Sequence, residues 1–132
     1  MQKKIMYHAA IYLRLSRDDE DIDGSAKRES DSISSQRELA RSFVREQPDM
    51  ELFDIYIDDG YSGANFDRPD FKRMMADIEN GNVNCVVVKD LSRFGRSYLD
   101  AGKYLERVFP EKQIRFIAIN DGIDNLTQAY DI

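Results

Sequence analysis

A run of four apolar residues at positions 85 to 88, Cys-Val-Val-Val, constrains the fold of this chain more than any other feature. An apolar run without alternation is typical of a strand that helices cover on both faces. Such strands belong to parallel sheets, in which a helix crosses over from each strand to the next. The run therefore predicts an α/β protein with this strand near the centre of its sheet.

Strand-like and helix-like patterns alternate through the rest of the chain. Strands are predicted at residues 7 to 15, 52 to 57 and 114 to 119, and helices at residues 32 to 47, 67 to 81 and 97 to 109. This order predicts a three-layer fold, with a mainly parallel central sheet of four to five strands and helices on both faces.

Five residues mark the ends of the first two predicted helices. Ser32 is expected to cap the first helix and Pro48 to stop it. Asp67 is expected to cap the second helix, which has Pro69 in its first turn and Gly81 at its C-terminal position. The residues between these helices, 58 to 65, have the composition of a loop.

The composition indicates one globular domain over residues 1 to 132. Hydrophobic residues make up 42% of the chain, but no apolar stretch approaches the ~20 residues that cross a bilayer. The N-terminus lacks the pattern of a secretory signal, so we expect a cytoplasmic protein with no membrane partner. The single cysteine, Cys85, cannot form an internal disulfide or a cysteine-based metal site, and its apolar neighbours favour a buried thiol.

The net charge of −6 argues against a protein that binds nucleic acid nonspecifically, because such binding needs clustered lysine and arginine. The charge is uneven along the chain. Residues 17 to 31 contain seven acids and three bases and account for four of the six excess negative charges. This stretch is predicted to be a long loop, and a solvated charged loop explains it better than a regulatory segment.

Basic and hydroxyl side chains follow the predicted strands. Arg14 and Ser16 end the first strand and share one of its faces, about 7 Å apart. In open α/β sheets, ligands bind beyond the carboxyl ends of the strands, so residues that follow the other strands should lie near this pair. These residues are Ser62, Arg68, Ser92, Arg93 and Arg96. Several arginines around one hydroxyl are suited to binding a phosphodiester and stabilising its developing charge.

Four blocks of sequence resemble the catalytic domain of the serine recombinases, the resolvase and invertase family, and especially its large members from transposons and phages. The blocks are Tyr-Leu-Arg-Leu-Ser at 12 to 16, Ser-Ile-Ser-Ser-Gln at 32 to 36, Asp-Gly-Tyr-Ser-Gly at 59 to 63 with Phe-Asp-Arg-Pro at 66 to 69, and Val-Lys-Asp-Leu-Ser-Arg-Phe-Gly-Arg at 88 to 96. Their order and spacing cover almost the whole chain.

The resemblance implies that Ser16 is the nucleophile, attacking a DNA phosphodiester to give a 5′-phosphoserine and a free 3′ hydroxyl. It implies that the scissile phosphate is held by Arg14, Arg68, Arg93 and Arg96. Supporting roles are expected for Tyr12, Gln36, Ser62, Asp90 and Ser92. The resemblance implies neither ATP nor a metal, because the phosphoserine conserves the bond energy. The implied partners of the full-length protein are double-stranded DNA and further copies of itself, as a dimer and a tetramer that exchanges and rejoins strands.

The sequence departs from the family pattern at one place and leaves one role open. Many small members have an aspartate directly before the arginine that here is Arg93, whereas this chain has Ser92, with Asp90 two positions earlier. The base that deprotonates Ser16 is not identified. His8 shares its strand face but lies about 26 Å away along an extended strand, so we reject it.

Family members continue into an assembly helix and DNA-binding domains, so residues 1 to 132 are expected to be the N-terminal catalytic fragment of a longer recombinase. Two alternatives stay open. A receiver domain of a signalling relay would use Asp18, Asp19 and Asp90 around magnesium, with Asp90 as phosphoacceptor. A noncatalytic family member would serve assembly or regulation, although all the matched catalytic positions are filled.

Overall fold

The computed structural model describes residues 5–15, 32–59, 67–95 and 98–126, with the backbone alone for residues 98–100. The elements, in chain order, are β1 (Tyr7–Leu15), α1 (Ile33–Glu46), β2 (Met50–Asp59), α2 (Pro69–Glu79), β3 (Cys85–Val88), α3 (Leu91–Phe94), α4 (Tyr98–Lys103), a π-helical turn (Tyr104–Val108), α5 (Phe109–Lys112), β4 (Arg115–Ala118) and β5 (Ile123–Asp124).

The five strands form one sheet in the order β2-β1-β3-β4-β5. The first four are parallel, and β5 runs antiparallel to β4. The apolar run at residues 85 to 88 is β3, which lies in the middle of the sheet and is buried at every position. The predicted α/β class and the central place of this strand are therefore confirmed.

Apolar side chains alternate between the two faces of the sheet. One cluster contains Ile11, Leu13 and Val87, and α1 covers it with Ala40 and Val44. The opposite cluster is built on the other face of the same strands and is covered by α2 and the helices after β3; its members include Tyr12, Val86, Val88, Phe71, Met74, Phe94, Leu105, Phe109 and Phe116. Helices on both faces are thus required to bury the alternating side chains of β1 and β3.

The ends of α1 agree with the sequence, whereas the cap predicted for α2 is wrong. The Ser32 hydroxyl accepts a hydrogen bond from the Ser35 amide at 3.1 Å and caps α1. The residue that precedes α2 is Arg68, and Asp67 instead pairs with Lys72 at 2.6 Å. Gly81 has a φ of +80°, in the left-handed region that ends many helices.

The helix predicted at residues 97 to 109 differs in extent. A separate short helix, α3, comes directly after β3, and the later helical segment runs through to Lys112. Within that segment the Phe109 amide bonds to the Tyr104 carbonyl, which makes the wide π-helical turn. Pro110 follows immediately, and because it has no amide hydrogen and crowds the preceding turn, it favours this local widening.

The outer edge of β2 is covered by side chains of α2. The Ile57 amide donates to Asp70 Oδ2 at 2.8 Å, and Arg73 Nη2 donates to the Ile55 carbonyl at 3.2 Å. The Ile55 amide donates to Asp54 Oδ1 at 2.7 Å, and Arg73 Nη1 holds Asp54 at 2.8 Å. Edge strands expose backbone groups that template aggregation, so these contacts protect the edge.

Candidate active site

The Arg14 side chain extends from the end of β1 to α3, the short helix that follows β3. Its Nη2 donates to the Ser92 carbonyl at 2.6 Å, and its Nε donates to the Arg93 carbonyl at 3.2 Å. The residue is only 4% exposed. The guanidinium thus ties the carboxyl end of β1 to the backbone that carries Arg93, as the placement of both residues at strand ends predicts.

Gln36 holds the backbone of Arg14 from the other face of the sheet. Its Nε2 donates to the Arg14 carbonyl at 3.1 Å, and its Oε1 accepts from the Arg14 amide at 3.3 Å. The side chain is fully buried, in the first turns of α1. Both halves of the amide are paired with main chain, so the end of β1 is fixed in position relative to α1.

Arg68 lies in the protein interior, at 0% exposure. Its Nη1 donates to the Tyr12 hydroxyl and its Nη2 to the Phe94 carbonyl, both at 2.8 Å. The guanidinium carbon is 5.6 Å from the centre of the Tyr12 ring and 5.4 Å from that of Phe71. Hydrogen bonds and aromatic faces both stabilise a buried guanidinium.

Three successive carbonyls of α3 are therefore held by two arginines. Arg14 binds the carbonyls of Ser92 and Arg93, and Arg68 binds that of Phe94. Cations are favoured at these carbonyls because the last turn of a helix leaves them without intrahelical donors. The position of α3, and of the Arg93 side chain on it, thus depends on β1 and on the residue that precedes α2.

Asp58 is a member of this site that the sequence prediction missed. Its Oδ2 accepts from the Tyr12 hydroxyl at 2.8 Å and from the Phe71 amide at 2.9 Å, and its Oδ1 accepts from the Asp70 amide at 3.0 Å. The predicted loop at 58 to 65 begins too early, because Asp58 and Asp59 pair with Arg14 and Leu15 in the sheet. The rule that strand ends carry the chemistry would have identified Asp58 had β2 been given its full length.

A chain of hydrogen bonds now runs from Arg68 through Tyr12 to Asp58. Burial raises the pKa of Tyr12; the neighbouring Arg68 charge opposes this shift, and Asp58 reinforces it. Tyr12 therefore stays a protonated hydroxyl, able to accept from the guanidinium while donating to the carboxylate.

Asp90 and Ser92 contact each other beside Arg93. The Ser92 hydroxyl donates to Asp90 Oδ1 at 2.5 Å, and the same oxygen lies 3.9 Å from Arg93 Nε. Arg93 Nη1 donates to the Arg14 carbonyl at 3.4 Å.

The structure thus brings together seven of the ten predicted site residues, namely Tyr12, Arg14, Gln36, Arg68, Asp90, Ser92 and Arg93. Ser16, Ser62, Arg96 and the acidic stretch at 17 to 31 lie outside the described residues. The side chain of His8 is at the opposite end of β1, 3.5 Å from Glu51. Over the described ranges, no group of three His, Cys, Asp or Glu side chains could hold a metal ion.

A large groove among the described residues lies apart from this site. It has a volume of about 880 Å³ and lies at the amino ends of the strands, lined by Tyr7, Asn84, Ile114 and Leu126 among others. None of the predicted site residues lines it. Convergence of charged side chains locates the candidate site better than concavity does, because a phosphodiester on DNA can be bound at an open surface.

Comparison with known proteins agrees with the geometry. Residues 9–132 match the family model described as the N-terminal domain of resolvase. This chain belongs to the serine recombinase family. The site that contains Arg14, Arg68 and Arg93 therefore lies in a serine recombinase catalytic domain.

Solved structures of serine recombinases share its fold. The N-terminal catalytic domain of TP901-1 integrase is 32% identical, with a TM-score of 0.77 over 91% of this chain and 82% of that one. A resolvase-family site-specific recombinase from Streptococcus pneumoniae is 29% identical, with a TM-score of 0.69 over 92% of this chain and 78% of that one. The C-terminal catalytic domain of ISC1926 TnpA, an IS607-like serine recombinase, is 19% identical, with a TM-score of 0.65 over 84% of this chain and 69% of that one, and supports the fold alone.

Membership of this family supports site-specific DNA recombination as the general activity, with DNA binding and oligomerisation as its general requirements. It also rules out the receiver-domain alternative. Across the described part of this serine recombinase domain, no helix is long and apolar enough to cross a membrane.

Proposed function

We propose that this domain cleaves DNA through Ser16. The Ser16 hydroxyl gives up its proton as its oxygen attacks the phosphorus of a phosphodiester, the bond from phosphorus to the 3′ oxygen breaks, and the 3′ oxygen takes up a proton and leaves as a hydroxyl, so that no net proton is gained or lost. The product is a 5′-phosphoserine. Attack by the 3′ hydroxyl of an exchanged strand reverses the step and releases the serine. A covalent intermediate divides one exchange into two transesterifications, so neither a nucleotide nor a metal is needed to supply energy.

The contact between Arg14 and the backbone of Ser92 and Arg93 carries this proposal. Ser16 follows Arg14 by two residues in the sequence, and Arg14 binds the backbone of α3, which carries Arg93. The proposal therefore has one nucleophile and two cations at one edge of the sheet. This is the arrangement that in-line attack on a phosphate requires, because the nonbridging oxygens gain negative charge in the transition state.

The arginines have different parts in the proposal. In the proposal, Arg14 and Arg93 would face the phosphate, together with Arg96 and the hydroxyl of Ser62. Arg68 is bound by Tyr12 and Phe94 in the protein interior. Its charge would therefore act on the phosphate from within the protein, while its side chain holds α3 in place. A buried charge acts strongly at short range because the surrounding dielectric constant is low.

The DNA-recognition surface is assigned to the rest of the recombinase. A net charge of −6 does not suit a chain that must neutralise many phosphates, whereas it does suit a catalytic domain brought to DNA by other parts of a longer protein. We propose that residues 1 to 132 are this domain, and that the complete protein works on double-stranded DNA as a dimer that assembles into a tetramer.

Covalent trapping tests the nucleophile. The complete recombinase is incubated with its DNA site, denatured and resolved by gel electrophoresis, and the linked peptide is identified by mass spectrometry. The wild type should yield a Ser16-linked DNA adduct, and Ser16→Ala should yield none. Ser34→Ala is the matched control, because Ser34 is an exposed serine on α1 and its loss should leave adduct formation unchanged.

Two outcomes would contradict the proposal. An adduct that persists in Ser16→Ala would place the nucleophile elsewhere. A wild-type recombinase that assembles on DNA but forms no adduct would favour the noncatalytic alternative, in which the domain serves assembly alone.

A further inference from the structure

The carboxylate of Asp90 is directed at the residues around Arg93 rather than at the start of its own helix. Asp90 precedes α3 in the N-cap position, but its side chain makes no capping hydrogen bond. The Leu91 amide is instead bound by Asp121 Oδ2 at 2.6 Å, from the turn between β4 and β5. An N-cap aspartate usually accepts from the first turn of the helix. Capping therefore does not account for this carboxylate.

One oxygen of Asp90 serves two neighbours. Oδ1 accepts the Ser92 hydroxyl at 2.5 Å and forms an ion pair with Arg93 Nε at 3.9 Å. The Arg93 side chain is 5% exposed and that of Asp90 is 23% exposed, so the pair is shielded from solvent on one side. Partly buried charge pairs constrain side-chain orientation more strongly than exposed ones do.

The same contacts extend to Arg14. The Ser92 hydroxyl is held by Asp90, while the Ser92 carbonyl accepts from Arg14 Nη2 at 2.6 Å. Asp90 is itself anchored, because the Arg93 amide donates to its carbonyl at 3.1 Å and the Asn120 amide donates to the Lys89 carbonyl at 2.8 Å. The backbone that carries the Asp90 carboxylate is therefore fixed, and the carboxylate orients the side chains of both Ser92 and Arg93.

We propose that Asp90 and Ser92 form a positioning pair for the arginines of the active site. This inference rests on the proposed function of Ser16. The Asp90 carboxylate orients the Arg93 guanidinium directly, and through the Ser92 hydroxyl it fixes the carbonyl that holds Arg14. In this chain, the Asp90 carboxylate, three residues before Arg93, together with Ser92 thus takes the part of the aspartate that many small family members have directly before that arginine. Neither residue touches the phosphate.

A positioning pair affects the rate of cleavage and leaves DNA binding intact. Misplacing a catalytic group by about 1 Å can slow a reaction about 100-fold, whereas the affinity for a long DNA site depends on many contacts elsewhere. Loss of the Asp90 charge should therefore lower the rate of adduct formation at saturating DNA without changing the dissociation constant.

The test uses the complete recombinase with Asp90→Asn, Ser92→Ala and Ser92→Thr, which keeps the hydroxyl. Asp67→Asn is the matched control, since Asp67 also precedes an arginine of the site but pairs with Lys72. Adduct formation should fall about 100-fold in Asp90→Asn and about 10-fold in Ser92→Ala. It should stay near wild type in Ser92→Thr and Asp67→Asn. DNA affinity, by mobility shift, and Tm should match wild type in all four.

Wild-type adduct rates in Asp90→Asn and Ser92→Ala would overturn the proposal, as would equal losses in Ser92→Ala and Ser92→Thr. Should Asp90→Asn fail to fold, the two serine variants still decide through the presence or absence of the hydroxyl. If the wild type itself forms no Ser16 adduct, the proposed function fails first. If it forms the adduct and Asp90→Asn does so equally fast, only the positioning role is lost.

Discussion

The Tyr12 hydroxyl has two partners that no water could easily replace. It accepts from Arg68 and donates to Asp58, and all three residues are at most 2% exposed. A buried donor that loses its partner costs free energy, because the group has already been removed from solvent. The contribution of the Tyr12 hydroxyl to the free energy of unfolding can therefore be measured by removing it.

Tyr12→Phe should lower the free energy of unfolding by about 1 to 3 kcal/mol, because it leaves Arg68 and Asp58 each short of a partner. Tyr56→Phe is the matched control. The Tyr56 side chain is also buried, but its hydroxyl has one carboxylate partner, Asp77 Oδ2 at 2.6 Å, and Asp77 is partly exposed, so water can solvate that carboxylate and the loss should be smaller. Urea unfolding at neutral pH measures both, and equal losses would contradict a special weight for the buried network.

Single residues of the site could be predicted to different degrees. Arg14 and Arg93 are placed by a general rule, because Arg14 lies at the end of a strand with a clear apolar pattern and Arg93 follows another such strand. The interior position of Arg68 could not be predicted, since its partners Tyr12 and Phe94 are 56 and 26 residues away and no local pattern links them. Asp58 was missed for the related reason that an aspartate is depleted in strands unless a tertiary contact satisfies it.

At the scale of elements, the N-terminus of α2 is capped by a residue of β2. Asp58, on β2, accepts from the Asp70 and Phe71 amides, which are two of the donors that the first turn of a helix leaves unpaired. The cap is thus supplied from 12 and 13 residues away rather than by Asp67.

Asp58→Asn should destabilise the fold by about 3 kcal/mol, because an amide cannot accept from Tyr12, Asp70 and Phe71 without turning a donor toward one of them. The loss should appear in urea unfolding followed by circular dichroism. Asp67→Asn weakens an exposed pair with Lys72 and should cause no measurable change. A stable Asp58→Asn variant would show that the remote cap is dispensable.

The cover on the edge of β2 depends on pH. Hydrogen bonds from Arg73 lower the pKa of Asp54, which helps to cover this edge, below the ordinary value of 3.8. Burial acts to raise the pKa of Asp70, but hydrogen bonds from Arg73 and from the Ile57 amide outweigh it, and this pKa is also lowered. Carboxylates with lowered pKa values stabilise the fold above pH 3.8, and this contribution is lost as the pH falls through their folded-state values.

Arg73→Ala should therefore flatten the acid side of the stability profile. Urea midpoints at about pH 7 and about pH 3 should differ less in the variant than in the wild type, because Asp54 and Asp70 no longer titrate below their unfolded values. Arg45→Ala is the matched control, since Arg45 is an exposed arginine on α1. An unchanged difference between the two pH values would exclude Arg73 as the cause.

The later helices show where element prediction fails. The four residues of α3 are too few for an apolar period to be recognised, and the π-helical turn breaks the period of the segment that follows. The strands and the first two helices have no such interruption, and their positions agree with the sequence to within a few residues.

At the scale of the whole molecule, β3 reports on global unfolding. Cys85 is the only cysteine in the chain and has no exposed surface. Burial raises the pKa of its thiol to about 12. The thiol can react only when β3 loses the cover of its neighbouring strands and of α1.

Labelling of Cys85 by a disulfide reagent at about pH 8 should be at least about 1000-fold slower than labelling of an exposed thiol, because it requires global opening. Ser34→Cys supplies that exposed thiol in the same protein and should add one fast phase. Fast labelling of the wild type in the absence of denaturant would show that β3 opens locally.

The sheet, its parallel order and its two covering layers could be predicted because they follow from repeated apolar patterns in β1, β3 and the helices. The contacts of Arg14 and Arg68 in the active site could not, because these hydrogen bonds join residues that are far apart in sequence. Tertiary packing determines the geometry of the site, whereas the residue types that form it can be recognised in the sequence after the predicted strands.

The carbonyls of α3 that bind Arg14 also determine when the site can form during synthesis. Arg14 leaves the ribosome early, but the carbonyls that hold its side chain lie 78 and 79 residues further along. Contacts across loops of that length form late, because their entropic cost precedes the interactions that offset it. A nascent chain that ends before Ser92 therefore lacks the backbone that holds the Arg14 side chain. On the proposed role of Ser16, incomplete translation products of this length should not cleave the DNA of the cell that makes them.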